Sequence, residues 1–318
     1  KVAAKSGDLK VVGKNAVKTG DVTGSAAVDL ASESGTLESS AVNAGGVAKL
    51  AGASGVTAAS LKGTSIDVQS SGGGLSVGTG TGSNFVAGAV TATTGAVNVA
   101  VSKDVIAGAI DATTSATVSA AQGAVTLANI TAKSGDLKIV GKTAVKTGDV
   151  TGNATVDLVS ESGTLESSAV NAGGVAKLAG ASGVTVALIK GTSVDAQSSG
   201  GGVTVGTGAG SSFVAGTVTA TSGAVNVAAS KDVIAGAIDA ATTATVTAAQ
   251  GAVTLANVAA KAGDLKIVGK NAVKTGDVTG SAAIDLVSDS GTLEPATPAR
   301  VLENLDADIL QRNPFNIG

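Results

Sequence analysis

Apolar residues alternate with small or polar ones in short runs such as Ala96-Val97-Asn98-Val99-Ala100-Val101 and Leu137-Lys138-Ile139-Val140. Gly, Ser, Thr, Asn or a Lys-Asp pair interrupts the runs every six to eight residues. Period two with frequent turn signals predicts short β-strands. Helical spacing over ten or more residues does not occur before residue 300.

The pattern repeats. Lys5-Ser6-Gly7-Asp8-Leu9-Lys10 returns at Lys133–Lys138 and, with one change, at Lys261–Lys266, an offset of 128 residues each time without a gap. Residues 5–132 and 133–260 are identical at 106 of 128 positions, and a partial third copy spans 261–294. A shorter period lies inside the long one. The apolar residues Val22, Val42, Leu61, Val90, Ile110, Ile130 and Val150 are spaced 20, 19, 29, 20, 20 and 20 residues apart, and the full series from Val2 to Val278 has 14 members. This reads as five units of about twenty residues plus one enlarged unit per copy.

About three short strands per twenty residues cannot bury a core as hairpins. They can form one coil of a parallel β-solenoid, in which each strand pairs with its equivalent one coil away and each unit buries its face on a neighbour. The expected fold is therefore all-β, a parallel β-helix of about 14 coils over residues 1–294. At the usual strand spacing it would be roughly 60 Å long. The anchor residues should form one vertical stripe, and Gly at the corners should supply positive φ. Residues 295–318 are a different text. Thr297 and Pro298 suit a helix start, and Val301, Leu302, Leu305, Ile309 and Leu310 form an apolar stripe, which predicts a short C-terminal helical tail that caps the solenoid or docks elsewhere.

The units written Val-Thr-Ala-Thr-Thr-Gly-Ala-Val-Asn-Val and Ile-Asp-Ala-Thr-Thr-Ser-Ala-Thr-Val resemble the haemagglutinin-type repeats of filamentous haemagglutinin-like adhesins. The resemblance covers residues 1–294 and rests on period and composition. It implies a right-handed coil and a large bacterial exoprotein exported by two-partner secretion. The uniform copies also suit other giant bacterial surface or filament proteins.

Composition narrows the chemistry. The chain has 318 residues with no His, Cys, Met, Trp or Tyr, three Phe, 46 Gly and a net charge of −3. Imidazole bases, thiolates, disulfides and His or Cys metal ligands are excluded. The charge balance offers no basic field for nucleic acid, and no apolar run is long enough for a membrane helix. Lack of Met marks a processed chain or an excerpt. The expectation is a structural shaft of a secreted or cell-surface adhesin or extracellular filament, without catalysis or cofactor. Self-association through the ends or the tail, and a host or neighbouring-cell surface ligand, are its expected partners. The alternative is a carbohydrate-active β-helix enzyme built on carboxylates such as Asp104, Asp232, Asp29, Glu33 and Glu38. A third reading, ice or mineral binding, would use Thr93/Thr113 and Thr94/Thr114.

Candidate contact residues are few. Phe85 and Phe213 end the Gly-rich insertions and would be partner contacts if exposed. Leu302, Leu305 and Ile309 in the tail are further candidates. The pairs Lys18/Glu38, Lys146/Glu166 and Lys274/Glu294 are each 20 residues apart, which would set each Lys beside its Glu on the next rung as a structural ion pair. The tracts Gly72-Gly73-Gly74 and Gly200-Gly201-Gly202 lack the Lys and the following helix of a phosphate loop and read as wide corners or extruded loops.

Overall fold

A computed structural model describes residues 1–78, 84–207, 209 and 211–295. The chain divides into two compact units, Lys1–Gly180 and Ala181–Gly318. The first unit contains β1 (Val2–Ala4), β2 (Leu9–Gly13), β3 (Val17–Gly24), β4 (Val28–Ser32), β5 (Leu37–Ala44), β6 (Val47–Gly52), β7 (Val56–Lys62), β8 (Ser65–Ser70), β9 (Leu75–Gly78), β10 (Phe85–Ala92), β11 (Val97–Val101), β12 (Val105–Ala112), β13 (Ala116–Ala120), β14 (Val125–Ala132), β15 (Leu137–Gly141), β16 (Val145–Gly152), β17 (Val156–Ser160), β18 (Thr164–Ala172) and β19 (Val175–Gly180). Every pairing among them is parallel and joins strands two places apart, so odd strands β1 to β19 form one sheet and even strands β2 to β18 the other. The second unit contains β20 (Gly183–Lys190), β21 (Ser193–Ser198), β22 (Val203–Gly206), β23 (Phe213–Ala220), β24 (Val225–Ala229), β25 (Val233–Ala240), β26 (Ala244–Ala248), β27 (Ala252–Ala260), β28 (Leu265–Gly269), β29 (Ala272–Gly280), β30 (Ile284–Ser288) and β31 (Thr292–Pro295). It repeats the arrangement, with sheets β21-β23-β25-β27-β29-β31 and β20-β22-β24-β26-β28-β30. Each unit is a parallel β-solenoid, and no helix occurs among the described residues. The expected helix lies beyond them.

A turn holds two hydrogen-bonded strands, usually one of eight residues and one of five, where three short ones were expected. The long strand accounts for the difference, because it is bent. In β12, Val105 and Ala107 point inward, Gly108 and Ala109 both point away from the core, and Ile110 and Ala112 point inward again. Two outward residues in succession turn the ladder through a corner without leaving it. Only small residues occupy the first of them: Gly20, Ser40, Ala59, Gly88, Gly108, Ala128, Gly148 and Ser168 in the first unit.

Gly has a different role from the one expected. Among the described residues, positive φ occurs at Gly7, Gly55 and Gly183 only. At several other corners Gly provides clearance between rungs. A Cβ on Gly35 would run into the carbonyl oxygen of Asn15, and one on the equivalent Gly163 into that of Thr143.

The core consists of stacked columns. Val90, Ile110, Ile130, Val150 and Val170 are register partners on successive rungs, each no more than 1% exposed. Val2, Val22, Val42 and Leu61 form a second column. These are two stripes, not one. Leu61 belongs to β7 in the first sheet, whereas Val90 belongs to β10 in the second and pairs with Val68 of β8. The 29-residue step between them is therefore no enlarged coil, because it advances three strands where a 20-residue step advances two. From β2 to β15 the chain passes through thirteen strands in 128 residues, six and a half turns. The equivalent segments Leu9–Gly13 and Leu137–Gly141 consequently lie in opposite sheets of the same unit.

Hydroxyls fasten one corner of the first unit. The Oγ atoms of Ser54, Thr93, Thr113 and Ser134 donate to the backbone carbonyls of Ser34, Ser71, Thr93 and Thr113 on the preceding rung, at 3.1, 2.6, 2.7 and 2.8 Å. The side chains stand one above another because the turn lengths repeat.

Candidate functional surface

The second residue of the long strand points outward and on several rungs carries charge. Lys18 lies in register with Glu38, Lys146 with Glu166 and Lys274 with Glu294. Their Nζ–Oε2 distances are 3.0, 3.5 and 3.4 Å. All six side chains are about half exposed or more, so each pair contributes roughly 0.2–1 kcal/mol. Its sharper effect is on register, since a one-rung slip would oppose like or neutral groups.

A second charged column escaped the sequence reading. In the short strands, Lys10, Asp29, Lys49 and Asp67 follow one another in register on successive rungs of the first unit. Lys138, Asp157 and Lys177 do the same in its other sheet. Ion pairs link Lys10 to Asp29 at 3.6 Å, Lys138 to Asp157 at 3.7 Å and, in the second unit, Lys266 to Asp285 at 3.7 Å. The signal was present as a 19-residue Lys-to-Asp spacing, masked by the 20-residue period used to align the long strands.

Of the carboxylates weighed for catalysis, those of Asp104, Asp232, Asp29 and Glu38 are engaged in joining rungs. Asp104 Oδ1 accepts the backbone N–H of Ala124 at 2.8 Å, and Asp232 Oδ1 that of Ala252 at 2.8 Å. Asp29 and Glu38 face lysines, as above. Glu33 is exposed, and its backbone N–H donates to Gly13. Among the described residues no three Asp or Glu side chains gather as a metal site. Thr93 and Thr113 direct their hydroxyls to carbonyls of the rung below, which takes them away from a water-facing array.

No family model, curated protein or solved structure matches the chain. The surface must therefore be read from its own chemistry.

Phe85 and Phe213 are 0% and 1% exposed, which removes them as partner contacts. Each occupies the first, inward position of a long strand. Phe85 stands in column with Val105 and Val125, the next two rungs. On its other side β8 pairs only with Ala89–Ala92, so among the described residues Phe85–Ala87 have no strand partner there. This is the place where long and short strands exchange sheets, and the ring is buried there. Leu302, Leu305 and Ile309 lie outside the described residues.

The glycine tracts form packed corners. Gly74 accepts the N–H of Val56 at 3.1 Å, Gly73 donates to Ser70 Oγ at 3.2 Å, and Gly201 donates to Ser198 Oγ at 3.1 Å. A Cβ on Gly73 would run into the Ser54 carbonyl. Exposed large apolar residues are sparse. Val86 and Ile106, which are register partners, make the one such adjacent pair in the described part of the first unit. No helix among the described residues is long and apolar enough to cross a membrane.

Proposed function

We propose that the chain is a structural shaft, right-handed in its coil, belonging to a secreted or cell-surface bacterial adhesin or an extracellular filament. The observation that carries this reading is the use made of the polar side chains. Carboxylates, lysines and hydroxyls that could serve a ligand are spent on the neighbouring rung, through Asp104–Ala124, Lys146–Glu166 and Thr113–Thr93 contacts among others. Such a surface favours register and length over chemistry. The right-handed coil follows from the hand that parallel crossover connections take. The bacterial surface follows from the resemblance of the twenty-residue units to adhesin repeats.

Single-molecule pulling between the termini tests the mechanical role. A shaft should give discrete force peaks as rungs shear from the parallel ladder. Smooth extension without peaks would overturn the proposal, as would release of reducing or unsaturated ends from acidic polysaccharides by the purified chain.

A further inference from the structure

We propose that the odd-strand sheet of the first unit docks side by side onto the same face of a second copy, with the solenoid axes of the two first units antiparallel. The inference rests on the shaft reading and adds a partner to it.

One outward column of this sheet reads Lys18, Glu38, Thr57, Ser76, Asn98, Thr117, Lys138 and Asp157, register partners on eight successive rungs. By charge it runs plus, minus, four neutral polar residues, plus, minus. From the opposite end it runs minus, plus, four neutral, minus, plus. Every charge therefore meets its opposite when the column is laid upside down against itself. A twofold axis along the strand direction, passing between Ser76 and Asn98, does this. It sets Lys18 against Asp157 of the second copy, Glu38 against Lys138, Thr57 against Thr117 and Ser76 against Asn98. Such a contact is isologous and closes as a dimer.

Rotation about that axis keeps each position along the strand, so the neighbouring outward column also faces itself. That column consists of small and medium residues, which lets the two sheets approach. It runs Gly78, Ala100, Ser119, Val140 and Val159 on the short strands, and the long strands place Gly20, Ser40 and Ala59 at the corresponding outward position. The axis sets Gly20 against Val159 and Ser40 against Val140, so each valine meets a smaller residue. Ala59 then faces Ser119, and Gly78 faces Ala100.

The alignment is unique to one rung. A slip one way sets Lys18 against Lys177, the next residue of the column, and Glu38 against Asp157. A slip the other way sets Lys18 against Lys138 and leaves Glu38 opposite Thr117. The face is neither apolar nor of one sign, so association through it depends on this register. Within their own ion pairs the four charged side chains stay 30–84% exposed, which leaves each open to a second opposite charge. At either end of the joint they form an alternating quartet, a network that outweighs isolated surface pairs. Five-residue strands about 16 Å long, stacked over about 38 Å of rungs, cover about 600 Å² per copy. The total of roughly 1,200 Å² lies at the lower edge of specific interfaces and fits a micromolar dimer.

The test uses the full-length chain, with sedimentation velocity as the readout and far-UV circular dichroism to show that each variant folds. Wild type should dimerise at micromolar concentration. Lys18→Glu and Asp157→Lys each oppose like charges at two symmetry-related sites and should weaken dimerisation at least about tenfold. The double variant Lys18→Glu/Asp157→Lys should recover most of that loss. The two residues stand seven rungs apart in one chain, roughly 34 Å, so no contact within the chain can produce the recovery. A second measurement leaves the charges intact. Thr57→Cys and Thr117→Cys are placed in separate chains that otherwise have no cysteine. A short bis-maleimide should cross-link a mixture of the two, whose thiols face each other. It should cross-link neither variant alone, where like positions lie about 14 Å apart along the axis. A wild type that stays monomeric, a single-charge variant that dimerises like wild type, a double variant that fails to recover, or a mixture that does not cross-link would each overturn the joint. A monomer that still shows force peaks on pulling sinks the joint alone and leaves the shaft.

Discussion

Replacing Phe85 by Ala probes the place where long and short strands exchange sheets. The ring is fully buried at the first inward position of β10, in a column otherwise continued by Val105 and Val125. Among the described residues no strand partner supports it on the β8 side, so the vacated volume does not close by simple rung-to-rung collapse. A Phe→Ala change at such a site costs about 3–5 kcal/mol. With a guanidinium slope of about 4 kcal/mol per molar, the midpoint of the affected transition should fall by roughly 1 M. The chain has no Trp or Tyr, so the transition is best followed by far-UV circular dichroism. The neighbouring Val86 is 36% exposed, and Val86→Ala should cost no more than about 0.5 kcal/mol. Equal shifts for the two variants would refute the alternation of inward and outward positions. A Phe85→Ala shift under about 0.3 M, equivalent to about 1 kcal/mol on the same slope, would refute the packing argument.

Thr147 is 5% exposed and its Oγ1 has no hydrogen-bond partner, so the near-isosteric Thr147→Val should stabilise by about 1 kcal/mol, read from the same denaturation curve. Gly163→Ala should destabilise by more than about 2 kcal/mol, since its Cβ would meet the Thr143 carbonyl, and a neutral result would show that the rungs are farther apart than described. For Lys146 and Glu166, a double-mutant cycle to Ala should return a coupling of roughly 0.2–1 kcal/mol that shrinks in high salt, and a salt-independent value would contradict a solvent-exposed pair. Deleting Val105–Ala124, one full turn of twenty residues, should leave the circular dichroism spectrum and cooperativity intact, whereas deleting Val105–Thr114 should not.

Much of the fold was legible because its determinants are local and periodic. The strand runs, the twenty-residue spacing and the Lys18–Glu38 offset all follow from side chains meeting their counterparts one turn away. What was not legible depended on counting strands. The 29-residue step from Leu61 to Val90 looks like one coil with an insertion, because Leu75–Gly78 is only four residues long and is flanked by glycines. In space that short stretch is a complete strand, and it moves the anchor series to the other sheet. Phe85 was ambiguous for the same reason: a lone ring beside glycines reads equally as a surface feature or as a plug, until the neighbouring strand is known to stop short. The role of Gly was misjudged because clearance between stacked carbonyls is a property of neighbouring rungs and leaves no mark in the local sequence.

The odd number of strands per copy has a physical consequence beyond bookkeeping of turns. An even number would place every copy of a side chain on the same sheet, building long one-sided stripes of identical charge or apolar character. Thirteen strands instead place Lys18 and Glu38 in the first sheet, and their equivalents Lys146 and Glu166 in the second, within a single unit. Near-identical 128-residue copies can then be added while their surface features alternate between two faces. That limits the one-sided patches through which repetitive chains associate side by side.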